Sequence, residues 1–249
     1  MTDSFTDGLV AEEESLLHAS DGHRQPSSKT TKSNKEGVGI FEVVSHPDHH
    51  KAIVAVVGVM FAQQLCGINS IIMYSVSLLS DLLPTTASLL IVVVSATNLV
   101  ATIAFSPLAD KLGRKACLLL SIAGMGINAL LLAFAILFSV KVLSAIATLL
   151  FVTSFAVGLG PVPFILASEL VGPEAVGATQ SWALAANWIG AFLVAQFFPI
   201  LNSWLGKGKV FFVFAALAVL FFTFVAWWIP ETKGKRDADE VWGKERRED

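Results

Sequence analysis

The sequence predicts an all-α polytopic membrane protein with six transmembrane helices. Of its 249 residues, 54% are hydrophobic and only 15% are charged, and the mean hydropathy is +0.68. A soluble domain is usually about 25% charged. A spanning helix needs about 20 apolar residues, and six runs without Asp, Glu, Lys or Arg reach that length. These runs are residues 52–80, 87–109, 116–140, 142–168, 178–204 and 210–229.

The chain divides by composition into an arm, a bundle and a tail. Residues 1–50 are rich in Ser, Thr, Lys, Glu, Gly and His, which predicts a largely disordered cytoplasmic arm. Residues 51–230 form the predicted six-span transmembrane bundle, and residues 231–249 are a polar cytoplasmic tail. Between the first two spans, residues 81–86 contain a proline and predict a short turn.

The distribution of basic residues predicts the orientation in the membrane, because loops that face the cytoplasm carry an excess of Lys and Arg. The predicted topology places seven basic residues near the spans on one side and three on the other. The first set is Lys51, Lys111, Arg114, Lys115, Lys233, Lys235 and Arg236, and the second is Lys141, Lys207 and Lys209. We therefore expect both termini in the cytoplasm.

Several classes of function are not indicated by the sequence. It carries no basic stripe of the kind that binds nucleic acid. No nucleophile–base pair or metal-ligand pattern supports an enzyme, so we expect no catalytic residues, metal or cofactor. His46, His49 and His50 lack Cys or acidic partners, which favours a solvated loop over a metal site.

Uncharged amide side chains lie within the first two spans, at Gln63, Gln64, Asn69 and Asn98. Lipid cannot hydrogen-bond an amide, so such groups face protein or a water-filled cavity. In a regular helix the spacing of Gln63, Gly67, Ser70 and Tyr74 places all four on one face. Two interpretations stay open: a site for a neutral polyhydroxylated ligand, or hydrogen bonds between helices worth about 0.6 kcal/mol each. For Asn98 taken alone, the bond between helices is favoured.

The fourth span contains two prolines within GLGPVPF, at Pro161 and Pro163. Proline lacks an N–H and clashes with the preceding turn, so this helix must kink or break. Phe164 follows directly and either stacks on a sugar ring or closes a gate, unless it only packs beside a structural kink. Asn187 in the fifth span is included among the candidate binding residues.

A charged loop between the second and third spans reads DKLGRK over residues 110–115. Arg114 can reach the end of a neighbouring helix, and Glu169 lies at the end of the fourth span on the same predicted side. A pair between them is a candidate conformational latch, with Glu231 as a further acceptor for basic residues. For Lys111 and Lys115 we favour simple anchoring on the cytoplasmic side.

Taken together, these motifs resemble those of the sugar-porter branch of the major facilitator superfamily. QQLCGIN (63–69) is similar to that family's QQxxGIN, and DKLGRK to its D-R/K-x-G-R-R/K loop. GPVPF with the following SE resembles GPxPW and its glutamate, and PETKG (230–234) resembles the carboxyl-terminal signature. The resemblance covers residues 40–235, in order and at matching spacings.

The resemblance implies that the six spans are spans seven to twelve of a twelve-span carrier, one half of a major facilitator fold. It implies substrate contacts at Gln63, Gln64, Asn69 and Asn98, with Phe164 where the family has tryptophan. Arg114 and Glu169 correspond to its intracellular charge network. The family's arginine after the proline-containing loop falls at Val176, so the network has one member fewer.

The resemblance also implies the activity, which is transmembrane transport of a sugar, polyol or related polar metabolite by alternating access. The expected partners are that substrate, the lipid bilayer and a matching amino-terminal six-span bundle. The expected location is the plasma membrane or the vacuolar membrane. The alternative is a membrane protein derived from half a transporter that regulates or binds other proteins without transporting.

Overall fold

The computed structural model describes residues 39–45, 47–79, 87–206, 208–235 and 238–243, and these residues are almost entirely helical. The predicted turn at 81–86 and residues 1–38 of the predicted arm lie outside the described residues. Eleven helices occur in the described part of the chain. They are α1 Glu42–Ser45, α2 Pro47–Leu65, α3 Ile68–Leu79, α4 Ala87–Phe105, α5 Leu108–Leu112, α6 Arg114–Leu137, α7 Lys141–Val157, α8 Val162–Glu169, α9 Val176–Leu205, α10 Val210–Trp228 and α11 Ala238–Val241.

The helices correspond to the predicted spans in chain order. Within the described ranges, five stretches are long and apolar enough to cross a membrane, and α4 contains a further apolar stretch over Val92–Phe105. Helix α4 corresponds to the second predicted span and ends at Phe105 rather than at residue 109. Ser106 and Pro107 form a turn before α5, because proline fits the start of a helix better than its interior.

The first span is not the single helix that its apolar run predicts. It breaks between α2 and α3 at Gly67, whose φ of +101° is accessible mainly to glycine. A Cβ at Gly67 would lie 2.8 Å from Cδ2 of Phe214 on α10, so the break also allows a close approach. The predicted helical stripe through Gln63 and Ser70 is therefore wrong, because the two residues belong to different helices.

The fourth span breaks as its prolines predict. Helix α7 ends at Val157, and α8 begins at Val162 after a turn over residues 158–161. Gly158 permits the turn to lie against the third span, since a Cβ there would collide with the carbonyl oxygen of Cys117. The two broken spans meet, because α2 packs against α8.

Helix α6 is central to the packing, with its most extensive contacts against α7 and α10. Helix α2 packs mainly on α9, and α4 packs mainly on α7. The resulting core contains large buried side chains such as Met60, Phe151 and Phe211. This arrangement brings the polar residues of α2, the break before α8 and the middle of α9 together.

Candidate functional site

The two helix breaks meet at the backbone of Leu159. Proline at position 163 has no N–H, so the Leu159 carbonyl lacks the donor four residues ahead that a continuous helix would supply. The Nε2 atom of Gln63 donates to that carbonyl at 2.6 Å and to the Gly160 carbonyl at 3.1 Å. Gln63 is buried, so this side chain replaces hydrogen bonds that the broken helix has lost.

The same glutamine joins the fourth span to the fifth. Asn187 of α9 donates through Nδ2 to Oε1 of Gln63 and lies 3.7 Å from Sδ of Met60. Since Nδ2 is engaged in this way, Asn187 presents its Oδ1 atom, which accepts from no residue in the described ranges. The half-buried Asn187 therefore offers a hydrogen-bond acceptor beside the break.

A second amide pair lies across the break in the first span. Nδ2 of Asn69 on α3 donates to Oε1 of Gln64 on α2 at 2.6 Å. This bond leaves Gln64 Nε2 as a donor and Asn69 Oδ1 as an acceptor, neither paired with another described residue. A donor and an acceptor side by side suit hydroxyl groups, which both donate and accept.

Gly190 allows the helices that carry these amides to approach closely. A Cβ at Gly190 would lie 2.9 Å from Cβ of Gln64 and 3.5 Å from Cδ1 of Phe61. Gly190 is one helical turn beyond Asn187, on the same face of α9. Gly190 could not be predicted from the sequence, because a glycine in an apolar helix carries no signal of which helix it contacts.

The structure does not bond the other two candidate binding residues to this group. Asn98 is half-buried on α4, and among the described residues its side-chain oxygen receives only a 3.4 Å contact from Thr102 on the same helix. Phe164 is 39% exposed at the start of α8, and Nε2 of Gln180 donates to its carbonyl at 3.0 Å. Their roles as substrate contacts stay predictions.

The predicted pair between Arg114 and Glu169 is present at one end of the bundle. The guanidinium Nη2 lies 2.9 Å from Oε1 of Glu169, and Nε donates to the same oxygen at 3.1 Å. Thr232 donates to Oε2 of Glu169 at 2.5 Å, and Arg114 also pairs with Asp110 at 3.0 Å. The pair thus ties the start of α6 to the end of α8 and to the segment after α10.

Glu231 was predicted to accept hydrogen bonds from basic side chains, but in the structure its donors are backbone N–H groups. Its Oε1 accepts the backbone N–H of Arg114 at 2.8 Å and that of Lys233 at 3.0 Å. Glu231 therefore caps α6 from outside the helix, where a carboxylate interacts favourably with the helix dipole. A Cβ at Gly113 would lie 2.5 Å from Oε2 of Glu231, so glycine makes room for this cap.

Comparisons with known proteins agree with the architecture. The sequence profile of the family "Sugar (and other) transporter" matches residues 16–240. A "Probable metabolite transport protein" of Saccharomyces cerevisiae is 37% identical over 224 residues, which are 90% of this chain and 45% of that protein. "Vacuolar protein sorting-associated protein 73" of the same yeast is 33% identical over 70% of this chain and 36% of its own length.

Solved structures of a transporter have a similar fold. The proton:xylose symporter XylE of the major facilitator superfamily, bound to 6-bromo-6-deoxy-D-glucose, superimposes with a TM-score of 0.68 and 29% identity. The match covers 77% of this chain and 42% of the symporter. A double-tryptophan mutant of XylE gives a TM-score of 0.72 at 29% identity, covering 78% and 42% of the two chains. This chain thus spans less than half the length of these relatives.

Proposed function

The chain belongs to the sugar transporter family of the major facilitator superfamily, and on that premise we propose that its bundle is half of an alternating-access carrier. The substrate class is a sugar, polyol or related polar metabolite. The observation that carries the proposal is the group of amides at the two helix breaks, Gln63, Gln64, Asn69 and Asn187. Broken helices at mid-membrane are where carriers of this kind bind substrate.

The chemistry of the amides suits a neutral substrate with many hydroxyl groups. Gln64 offers an N–H donor, while Asn69 and Asn187 each offer an oxygen acceptor. None of the three carries a charge, so the site favours neither cations nor anions. A sugar hydroxyl can accept from the donor and donate to the acceptors without leaving either group unpaired. Asn98 and Phe164 complete the proposed contact set from α4 and α8.

The charged network serves as a latch in this proposal. Arg114 and Glu169 hold the third and fourth spans together at one end of the bundle, and Thr232 adds the segment after the last span. Rocking of two bundles about a central site requires contacts at the ends to form and break. A partly exposed ion pair is suited to this, because solvent compensates the charges when they separate.

The second bundle in this carrier is a matching amino-terminal six-span partner. Large apolar side chains on α4 and α9 are exposed in the described residues, among them Ile103, Trp188 and Phe192. Lipid or a partner bundle covers such a surface, but only protein or water suits the polar groups at the breaks. The half-length match to full carriers supports a bundle as the partner.

We further propose that the end bearing Arg114 faces the cytoplasm, with both termini on that side. The 110–115 loop meets residues 231–235 at this end, which holds most of the basic residues near the spans, and Trp182 near the start of α9 donates to the Ile40 carbonyl just before α1. Thiol labelling checks the orientation. Lys141→Cys should react with an impermeant reagent from outside, and Lys111→Cys only from inside, since both positions are exposed.

Uptake of labelled sugars tests the proposed function. The chain is expressed alone, and together with the amino-terminal six spans of a family member, in vesicles that lack other sugar transporters. We expect saturable uptake by the co-expressed pair and none by the chain alone. Uptake by neither would favour the non-transporting alternative, and saturable uptake by the chain alone would overturn the need for a partner.

A further inference from the structure

The third span contributes a polar side chain to the break from the side opposite the amides. The Leu159 N–H donates to Oγ of Ser121 on α6 at 3.1 Å. On the other side, the Leu159 carbonyl accepts from Gln63 at 2.6 Å. Both backbone groups of this buried residue are therefore satisfied by side chains, one from the third span and one from the first.

The Ser121 hydroxyl has a defined direction. It donates its single hydrogen to the Ser154 carbonyl at 2.7 Å, which leaves its lone pairs facing the Leu159 N–H. Ser121 is fully buried, so water is not at hand to replace it. A change at this position would leave a buried N–H without an acceptor, which is costly.

Gly124 on α6 and Gly158 in the break of the fourth span allow the third and fourth spans to approach closely. A Cβ at Gly124 would lie 2.6 Å from Oγ of Ser154, and one at Gly158 would lie 3.0 Å from Cβ of Ser121. Close backbone approach of this kind depends on small residues at the interface. The Ser121 contact is thus part of a packed helix pair, with little room for Leu159 to shift.

We infer that Ser121 is a positioning residue for the amide site, acting through Leu159 on Gln63 and through Gln63 on Asn187. This inference rests on the proposed function. By fixing the Leu159 carbonyl, Ser121 keeps Nε2 of Gln63 turned toward the break and Oε1 turned toward Asn187. That orientation leaves the Asn187 oxygen as the group presented to a substrate hydroxyl. Among the described residues, the hydrogen bonds of Ser121 go to Ser154, Phe155 and Leu159 and not to a residue of the proposed binding surface.

The experiment compares Ser121→Ala with Asn128→Ala in the co-expressed pair. Asn128 also joins the third and fourth spans, through Oγ of Ser154 at 3.2 Å, but it has no bond to Leu159. For Ser121→Ala we expect KM for the best substrate to rise about tenfold, with Vmax within about twofold of wild type. Hydrogen exchange of the Leu159 amide, measured without sugar, should become faster. Asn128→Ala should change neither quantity.

A double substitution separates positioning from general loosening of the helix pair. If Ser121 acts through Gln63, Ser121→Ala should raise KM no further in a Gln63→Ala background. An additional tenfold rise there, or an equal rise in KM for Asn128→Ala, would overturn the proposal. So would faster exchange at Leu159 with an unchanged KM.

The exchange measurement also separates this proposal from the proposed function. If the wild-type pair shows no saturable uptake, the transport proposal fails, and the substrate role of Ser121 fails with it. Faster Leu159 exchange in Ser121→Ala would then show that the contact is as described and that the error lies in the function. Unchanged exchange in Ser121→Ala would overturn the positioning role whatever the uptake.

Discussion

The helix breaks in the middle of the bundle and the charged end are held together by different chemistry. At the breaks, Gln63 and Gln64 are only 4% and 7% exposed, and they bond to backbone carbonyls and to other amides. At the end, the side chains of Arg114 and Glu169 are 16% and 28% exposed and carry full charges. Removing one hydrogen-bond partner at the breaks should therefore lower the stability of the fold more than removing one ion-pair partner at the end, where solvent partly screens the charges.

The difference indicates which region holds a geometry and which can change. A buried neutral network that replaces helix hydrogen bonds keeps one arrangement, as a binding site requires. A partly exposed ion pair can separate and re-form at a lower cost than a fully buried one, as a latch requires. Four predictions test this division, from the largest expected effect to the smallest.

Gln63→Ala should have the largest effect, because it leaves the buried Leu159 carbonyl without a donor. We expect a loss of about 1–3 kcal/mol in unfolding free energy, together with loss of sugar affinity. Gln64→Ala is the matched control, since Gln64 bonds only to the Asn69 side chain among described residues. It should lower affinity with little change in thermal stability. Equal stability of Gln63→Ala and Gln64→Ala would contradict the claim that the bond from Gln63 to the Leu159 carbonyl stabilises the fold.

Gly67→Ala should come next. Its φ of +101° costs a residue with a Cβ about 1–2 kcal/mol, and the new methyl would press on Phe214. Gly177→Ala is the control, because nothing lies within 4 Å of that Cβ and it is in a regular helix. The melting temperature should fall for Gly67→Ala and rise slightly for Gly177→Ala. An unchanged melting temperature for Gly67→Ala would contradict the break.

Arg114→Ala at the charged end should change stability by only about 1 kcal/mol or less, given its partly exposed partners. If the network is a latch, maximal transport rate should fall severalfold while sugar affinity stays close to wild type. Arg114→Lys keeps the charge but not the two-point contact with Glu169, so it should recover part of the rate. If Arg114→Ala lowered sugar affinity as much as the maximal transport rate, the charged network could not be distinguished from the binding site.

Glu231→Gln should have the smallest effect. The amide oxygen can still accept the N–H of Arg114, so only the charge near the start of α6 is lost. The expected cost is about 0.3–1 kcal/mol, reduced at high salt. Glu231→Ala also removes the acceptor and should cost more. Melting curves of both variants at low and high salt would check this, and identical curves would contradict the capping role.

The sequence was sufficient for the helical class, the family and the Arg114–Glu169 pair, since these depend on hydropathy, motif order and charge at helix ends. It also predicted the break in the fourth span, because proline has a local and unavoidable effect. It missed the break at Gly67, since glycine is tolerated in a helix and its left-handed conformation depends on Phe214 of α10. The order of motifs along the chain does not predict which residue of α10 lies against Gly67.

The composition of the site was predicted only in part. Gln63 was expected among the binding residues, but its bond to the Leu159 carbonyl depends on how two broken spans pack. The contacts of Ser121 and Gly190 were not predicted, because small residues in apolar runs cannot be told apart until their neighbours are known. The amide pattern predicted the chemistry of the site, whereas its geometry required the fold.

Equilibrium binding of a radiolabelled sugar to the co-expressed pair tests the central claim most directly, because it examines the amide site without requiring the latch to move. We predict saturable binding by the wild type, loss of at least tenfold in affinity for Asn187→Ala, and wild-type affinity for Asn128→Ala, with tenfold corresponding to about 1.4 kcal/mol. Absence of saturable binding by a correctly folded wild-type pair, or equal affinity of Asn187→Ala and wild type, would contradict the account.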